Sequence, residues 1–213
     1  AEISENSNGT DASLTITGEN NVSLEVSGSF YGIFVKSGTG NASVTIENAS
    51  VDAKTTQTNS GYAGVCVQSG ASSKDSPNLS LAVNGGSLTT SGSASGDGIQ
   101  FVVGSSQATG ATTSLTVSEN AIVDARNGGI SSNSSSVTPS GNGIVFDGDE
   151  GTVYGSVTLQ EDLTIGAGES LTLAENASLN ANGCSVSVDG GTVDESLAES
   201  LGGVLLVLQK VDD

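Results

Sequence analysis

Apolar residues in this chain recur at every second position in short bursts, and the bursts themselves recur. Leu14/Ile16, Val44/Ile46, Leu81/Val83, Leu115/Val117 and Leu171/Leu173 are pairs split by one residue, usually threonine. A period of two marks a strand with one buried face. Each pair is followed by a short polar triplet: ENN at 19–21, ENA at 47–49, NGG at 84–86, ENA at 119–121 and ENA at 175–177. Asparagine and glycine tolerate a left-handed backbone, so the triplets predict tight corners. A second burst then turns Leu24, Val51, Leu88, Val123 and Leu179 toward the same interior, beside the mostly small Val26, Ala53, Thr90, Ala125 and Ala181. A third burst is led by glycine and reads YGIFV at 31–35, AGVCV at 63–67, DGIQF at 97–101 and NGIVF at 142–146. Its inward columns are Ile33, Val65, Ile99 and Ile144, then Val35, Val67, Phe101 and Phe146.

A unit of three short strands buries nothing on its own, whereas stacked units set like residues about 4.8 Å apart and close a continuous core. The pattern therefore predicts an all-β chain folded as a right-handed parallel β-helix (β-solenoid), with three short strands per coil and about six or seven coils. A β-sandwich also uses short alternating strands. It gives no reason for the fixed order of strand, ENA, strand, loop and glycine-led strand. Repeat starts at Ser13, Ser43, Ser80 and Ser114 are 30, 37 and 34 residues apart, more than the roughly 20–25 a bare coil needs. The surplus must leave as loops at 55–62, 69–78, 92–97, 104–113 and 127–141, emerging at two corners. Such loops are either a binding face or tolerated surface insertions.

The chain reads as one domain over 1–213: a lead-in at 1–12, loop-rich coils at 13–151, tighter coils at 152–190 and a C-terminal cap at 191–213. In that tail, DESLAESLGGVLLVLQKVDD predicts a short amphipathic helix and then an apolar strand. These would cover the open end of the stack, or alternatively dock onto a neighbouring module.

The phrases YGIFVKSG, SVTIENASVDA, GDGIQF and GTVYGSVTLQEDLTIGAGESLTLAENASLNANG resemble the β-helical repeat regions of large surface proteins from Gram-positive gut bacteria, described as adhesin-like or carbohydrate-binding. The resemblance spans about residues 10–190, and its motifs are structural ones. It implies the fold and an extracellular, cell-surface location, and it carries no catalytic pattern.

Composition narrows the partners. With 24 acidic and five basic residues the formal charge is −19, which repels a phosphate backbone and argues against nucleic acid. No apolar run approaches the ~20 residues of a membrane span, so no insertion by this segment is expected. The opening AEISE and the lack of methionine suggest a mature or trimmed product, attached to the surface through regions outside this sequence, and a monomer is expected. Cys66 and Cys184 fall several repeats apart and are expected as separate thiols. Absence of histidine removes the commonest general base and transition-metal ligand, so no enzyme is expected. Arg126 and the lysines fall on separate loops or ends, and FDGDEG at 146–151 reads as a turn.

Two candidate sites remain. Phe30, Tyr31, Phe34 and Tyr62 are four of only seven aromatics, and they cluster at the start of the third strand in adjacent coils. They form a platform for a glycan or staple their loops to the coil. Glu47, Asp52, Glu119 and Asp124 sit at equivalent outward or corner positions, where stacking would bring carboxylates near one another and invite calcium. A solvated acidic face is the plainer reading, and no other cofactor is implied. The expected role is a non-enzymatic surface or adhesion module that presents loops to a glycan or host-surface protein. The alternatives are a carbohydrate-binding module of a larger enzyme or a structural spacer.

Overall fold

The structure, a computed structural model, describes residues 10–59, 61–71, 75–104 and 110–201, together with strands at 2–4 and 205–208. Parts of the expected loops at 55–62, 69–78 and 104–113 lie outside the described residues, as do most of the lead-in and the ends of the tail.

The first nine strands alternate between two parallel sheets. The short strands β1 (Glu2–Ser4), β3 (Ile33–Ser37), β5 (Val65–Ser69), β7 (Ile99–Val103) and β9 (Ile130–Ser132) make one sheet in that order. The long strands β2 (Ala12–Gly28), β4 (Ala42–Thr55), β6 (Asn78–Ser91) and β8 (Thr112–Asn127) are consecutive neighbours in the other. Pairing sets like residues level with one another: Thr15 with Thr45, Ala82 and Thr116; Glu25 with Asp52, Thr89 and Asp124. One hydrophobic cluster fills the space between the two sheets, built from Val44, Ile46, Leu81 and Leu115 on one side and Ile33, Val65, Ile99 and Phe101 on the other.

The Asn and Gly corners form where expected, but in the middle of a strand. Asn48, Glu119 and Asn120 hold φ of 52°, 54° and 63°, and the long strand runs through each corner unbroken. Buried positions step by two through Ala42, Val44 and Ile46, jump three to Ala49, and step by two again through Val51 and Ala53. The extra residue at the bend keeps both limbs facing the core. The first two predicted strands of each loop-rich repeat are thus one bent strand. The glycine leading each short strand marks a close backbone approach: a Cβ on Gly64 would stand 2.4 Å from the Ala53 carbonyl oxygen. Leu24, expected inside, is 37% exposed, because β2 is the outermost strand of its sheet.

The fourth glycine-led strand is not NGIVF. Ile130 and Ser132 of β9 take the level positions beside Ile99 and Phe101, whereas NGIVF belongs to β10 (Pro139–Asp147), which extends the long-strand sheet beyond β8. Strand β10 then folds back through Gly148 and Asp149 onto β11 (Glu150–Tyr154), the one antiparallel pair among the described strands. A two-residue Gly-Asp loop with its glycine at positive φ, set between alternating apolar residues, favours such a hairpin. The side chain of Asp147 secures the turn by accepting a hydrogen bond from the Ile130 amide at 2.7 Å.

Chain direction reverses at this hairpin, and the buried face changes side. Val145 joins the first hydrophobic cluster, while Ile144 and Phe146 on the opposite face of β10 join a second one with Val153, Leu171 and Leu179. Phe146 therefore does not share a column with Phe101. Beyond the hairpin the repeat tightens to three short strands: β11, β12 (Ser156–Thr158) and β13 (Leu163–Ile165) lie level with β14 (Ser170–Leu173), β15 (Ser178–Asn180) and β16 (Val186–Asp189). In the last turn β17 (Thr192–Val193) pairs with β14 and β18 (Leu205–Leu208) with β16. The helix α1 (Glu195–Leu201) comes between them in the chain, packs against β15 and buries Leu197 and Leu201 in the second cluster. Asp194 caps it, its carboxylate accepting from the Leu197 amide at 2.7 Å. The helix and strand expected of the tail are both present. No helix of the described residues is long and apolar enough to cross a membrane.

Arg126 ties the two halves together. Its guanidinium lies 3.6 Å from the centre of the Phe146 ring, pairs with Asp124 at 2.7 Å and Glu169 at 3.1 Å, and donates to the Thr164 carbonyl at 3.0 Å. Far from a loose loop, Arg126 is a half-buried clamp between β8 and the second cluster.

The bulge in β10 offers a test of this junction. A Cβ on Gly141, where φ is +114°, would lie 1.9 Å from the Val117 carbonyl oxygen, whereas one on Gly148, where φ is +58°, meets nothing within 4 Å. Gly148→Ala should cost only the left-handed penalty of about 1–2 kcal/mol, and Gly141→Ala considerably more. Equal urea midpoints for the two variants would refute the junction as described.

Candidate functional site

Each long strand reaches the next short strand through one corner, and these corners stack. The Thr56 amide donates to the Gly28 carbonyl at 2.8 Å, Ser93 to Tyr62 at 3.0 Å and Gly92 to Asn127 at 3.3 Å. The connecting segments are long at 56–64 and 92–98 and shrink to Gly128 and Gly129 in the fourth repeat.

The structure brings all four predicted aromatics together here. Phe30 and Tyr62 have ring centroids 4.9 Å apart, Tyr31 stacks on Phe34 at 4.8 Å, and Tyr31 meets Tyr62 edge-on at 5.7 Å. Phe30 is 53% exposed, and the other three are half-buried. Beneath them lies a residue the sequence pattern did not connect to the cluster. Ile33 and Val35 point into the core, so Phe34 points outward, and register puts Cys66, Gln100 and Ser131 in the same outward row. Cys66 is nonetheless fully buried, because Tyr31 and its neighbours roof it over.

That roof changes the chemistry of both groups. Burial pushes the Cys66 thiol up to about 12, against the opposing effects of its hydrogen bond with Tyr31 and the charge of Lys36. Burial also pushes the Tyr31 phenol up to about 12, and the neighbouring thiol adds to the shift. Cys66 and Cys184 are both free thiols.

Next along the outward row the surface becomes polar. Asp97 Oδ2 accepts hydrogen bonds from Gln100 Nε2 at 2.8 Å and Ser131 Oγ at 2.7 Å. Asp97 also borders a hollow of about 680 Å³ formed by the loop from Ser91 to Gly96 and floored by Asn127 and Gly128. Neither feature was visible from periodicity, because each joins residues about 30 positions apart.

The four predicted calcium carboxylates do not converge. Asp52 lies level with Glu25, and Lys54 sits between them, paired with Glu25 and 3.8 Å from Asp52. Asp124 is paired with Arg126. Lys54 and Arg126 follow Asp52 and Asp124 by two residues on one strand face, an i, i+2 spacing that the expectation of scattered basic residues overlooked. Glu47 Oε2 is 3.4 Å from Thr17 Oγ1, and its row continues through Asn84 to Ser118, not Glu119. Glu119 instead lines a polar cleft of about 470 Å³ with Asn48, Gln160 and Glu161. Among the described residues no three His, Cys, Asp or Glu side chains are grouped to hold a metal ion.

No family model, curated protein or solved structure matches this chain.

The buried thiol yields a test of the roof. An unfolded cysteine ionises near 9, so between pH 9 and 12 the unfolded chain gives up a proton that the folded chain keeps. Stability should be complete below pH 9 and fall as pH rises through this window, with Tyr31 contributing from about pH 10. At pH 8 Cys66 should stay unmodified by iodoacetamide in the native protein and react once Tyr31→Ala opens the roof, as read by peptide mass. Rapid native labelling of Cys66 would overturn the arrangement.

Proposed function

We propose that the two halves of the chain, before and after the antiparallel hairpin, are each wound as a right-handed parallel β-helix, and that together they act as a non-enzymatic extracellular surface module, which offers a glycan the face carrying Phe30, Tyr31, Phe34 and Tyr62. Closure into a helix is supported by the two parallel sheets flanking one core and by the level stacking of like residues. The hand follows the near-universal right-handed crossover between parallel strands. Extracellular display fits the composition and the resemblance to β-helical surface repeats. The chain has no histidine, the commonest general base, and the carboxylates of Asp124 and Glu25 are held in ion pairs.

One observation carries the ligand class. Four of the seven aromatics converge on one outward patch, and Phe30 keeps half of its surface in water. Aromatic faces pack against the C–H face of a pyranose, and flanking polar groups fix its orientation. Neighbouring loops are anchored to the stacked core by backbone bonds, so little ordering cost remains on binding.

Phe30→Ala and Tyr62→Ala should weaken binding of the best ligand on a glycan panel by about fivefold to tenfold. Phe30 is the cleaner probe, since its exposed ring supports little else. Unchanged affinity in both variants would remove the patch as the binding face.

A further inference from the structure

The aromatic patch ends at Cys66, but its outward row does not. One layer on, at the usual strand spacing of about 4.8 Å, stands Gln100, and one layer further Ser131, both bonded to a single carboxylate oxygen of Asp97. Asp97 therefore sits as a planar, fixed acceptor, and its other oxygen takes part in neither bond. The same residue borders the hollow of about 680 Å³, which falls in the range of small-molecule sites. The hollow adjoins the aromatic patch directly: Ser93 on its wall donates its amide to the Tyr62 carbonyl and lies 3.4 Å, through its hydroxyl, from the Tyr62 amide. Its depth has a simple origin. The connecting segment is seven residues long at 92–98 and only two at Gly128 and Gly129, so the longer loop overhangs the shorter.

We infer that the patch and the hollow form one site for a neutral oligosaccharide of two or three units, running along the stacking direction from Phe30 and Tyr62 to Asp97. This rests on the glycan reading above and adds the chain length, the charge class and the residues that read hydroxyl groups. Layers about 4.8 Å apart match the spacing of successive sugar rings closely enough for one ring on the aromatics and the next beside Gln100 and Asp97. A fixed carboxylate with an adjoining amide and hydroxyl suits vicinal sugar hydroxyls, which both donate and accept. Charge excludes an acidic sugar. Among the described residues Arg126 is the only basic one lining the hollow, and Asp124, Glu169 and the Phe146 ring already engage its guanidinium. A uronate would meet Asp97 in a protein of net charge −19 with no free cation beside it in the hollow.

The test is calorimetric titration of the full chain with cellotriose, mannotriose, tri-N-acetylchitotriose and trigalacturonate, together with the matching monosaccharides. The expected result is that a neutral trisaccharide binds, its monosaccharide binds at least tenfold more weakly, and trigalacturonate does not bind. Asp97→Asn should lose about tenfold for the trisaccharide, with little change for the monosaccharide held by the aromatics. Because Asp97 also braces Gln100 and Ser131, Ser95→Arg serves as a second variant. Ser95 is exposed on the loop, so a long side chain there should fill the hollow without touching the core, and it should abolish the trisaccharide advantage at an unchanged melting temperature. If Tyr62→Ala loses binding while Asp97→Asn and Ser95→Arg bind like the unaltered protein, the extended site is overturned and the aromatic reading stands. Tighter binding of trigalacturonate than of any neutral sugar overturns the charge class, and no binding of any sugar overturns both readings.

Discussion

A parallel strand paired in register on both edges cannot shift by one residue without turning its whole buried face to water. That constraint governs this molecule. Val44 lies level with Leu14 on one side and Leu81 on the other, and Leu81 in turn with Leu115. Each inward residue is thus enclosed by its counterparts, and loops of very different length leave the same corner without disturbing the layers. Register also decides what happens outside. It aligns Glu25 with Asp52, and it puts Cys66 under Tyr31 and Phe34. The row from aromatic to polar residues is a by-product of the same stacking that forms the core.

The hairpin at Gly148 solves a different problem. Strand β10 is buried on both faces, with Ile144, Val145 and Phe146 each 2% exposed or less. It serves two cores because the chain beyond it runs back along the opposite face. Arg126 stands where these cores meet. An unpaired guanidinium there would be costly, but two carboxylates, a carbonyl and the Phe146 ring surround it. The ion pairs leave the side chain about one-fifth exposed, so their Coulombic attraction is partly screened. Positioning is the surer contribution: a planar cation that fits only one arrangement of β8 against Glu169 fixes the relation of the two halves.

Much of this was legible because strand periodicity is local. Alternation at Val44 and Ile46, the Asn corner at Asn48 and the helix at 195–201 all follow from spacing and turn chemistry within a few residues. The error at NGIVF arose where local pattern was ambiguous. Gly143, Ile144 and Phe146 repeat the spacing of Gly98, Ile99 and Phe101, yet they pair with β8 while the weaker GGISS takes the expected place. The available signal was the Gly148–Asp149 turn just downstream, which marks a reversal that a purely parallel stack has no use for. The aromatic patch could be anticipated because aromatics are scarce and fall in adjacent repeats. The burial of Cys66 beneath Tyr31 and the meeting of Asp97 with Ser131 could not, since both depend on the register of stacked layers. The carboxylates misled for the opposite reason: a repeated ENA suggested one column, but Ser118 is an extra residue before Glu119, and it moves that carboxylate off the row of Glu47.

A binding face of the kind proposed must balance support against exposure. A fully exposed ring on a polar loop would have to be ordered by its ligand, and the ordering cost would be subtracted from affinity. A fully buried ring contacts nothing new. Here Tyr31 is held by Phe34, by the edge of Tyr62 and by the Cys66 thiol, so it is pre-positioned while still half-exposed. Phe30 leans on Tyr62 and leaves its remaining surface free. The stapling of loops to the core and the presentation of a ligand surface are therefore not rival explanations of the cluster. The contacts that fasten the loops are the ones that hold the tilted rings in a fixed orientation, and the buried thiol lies beneath them.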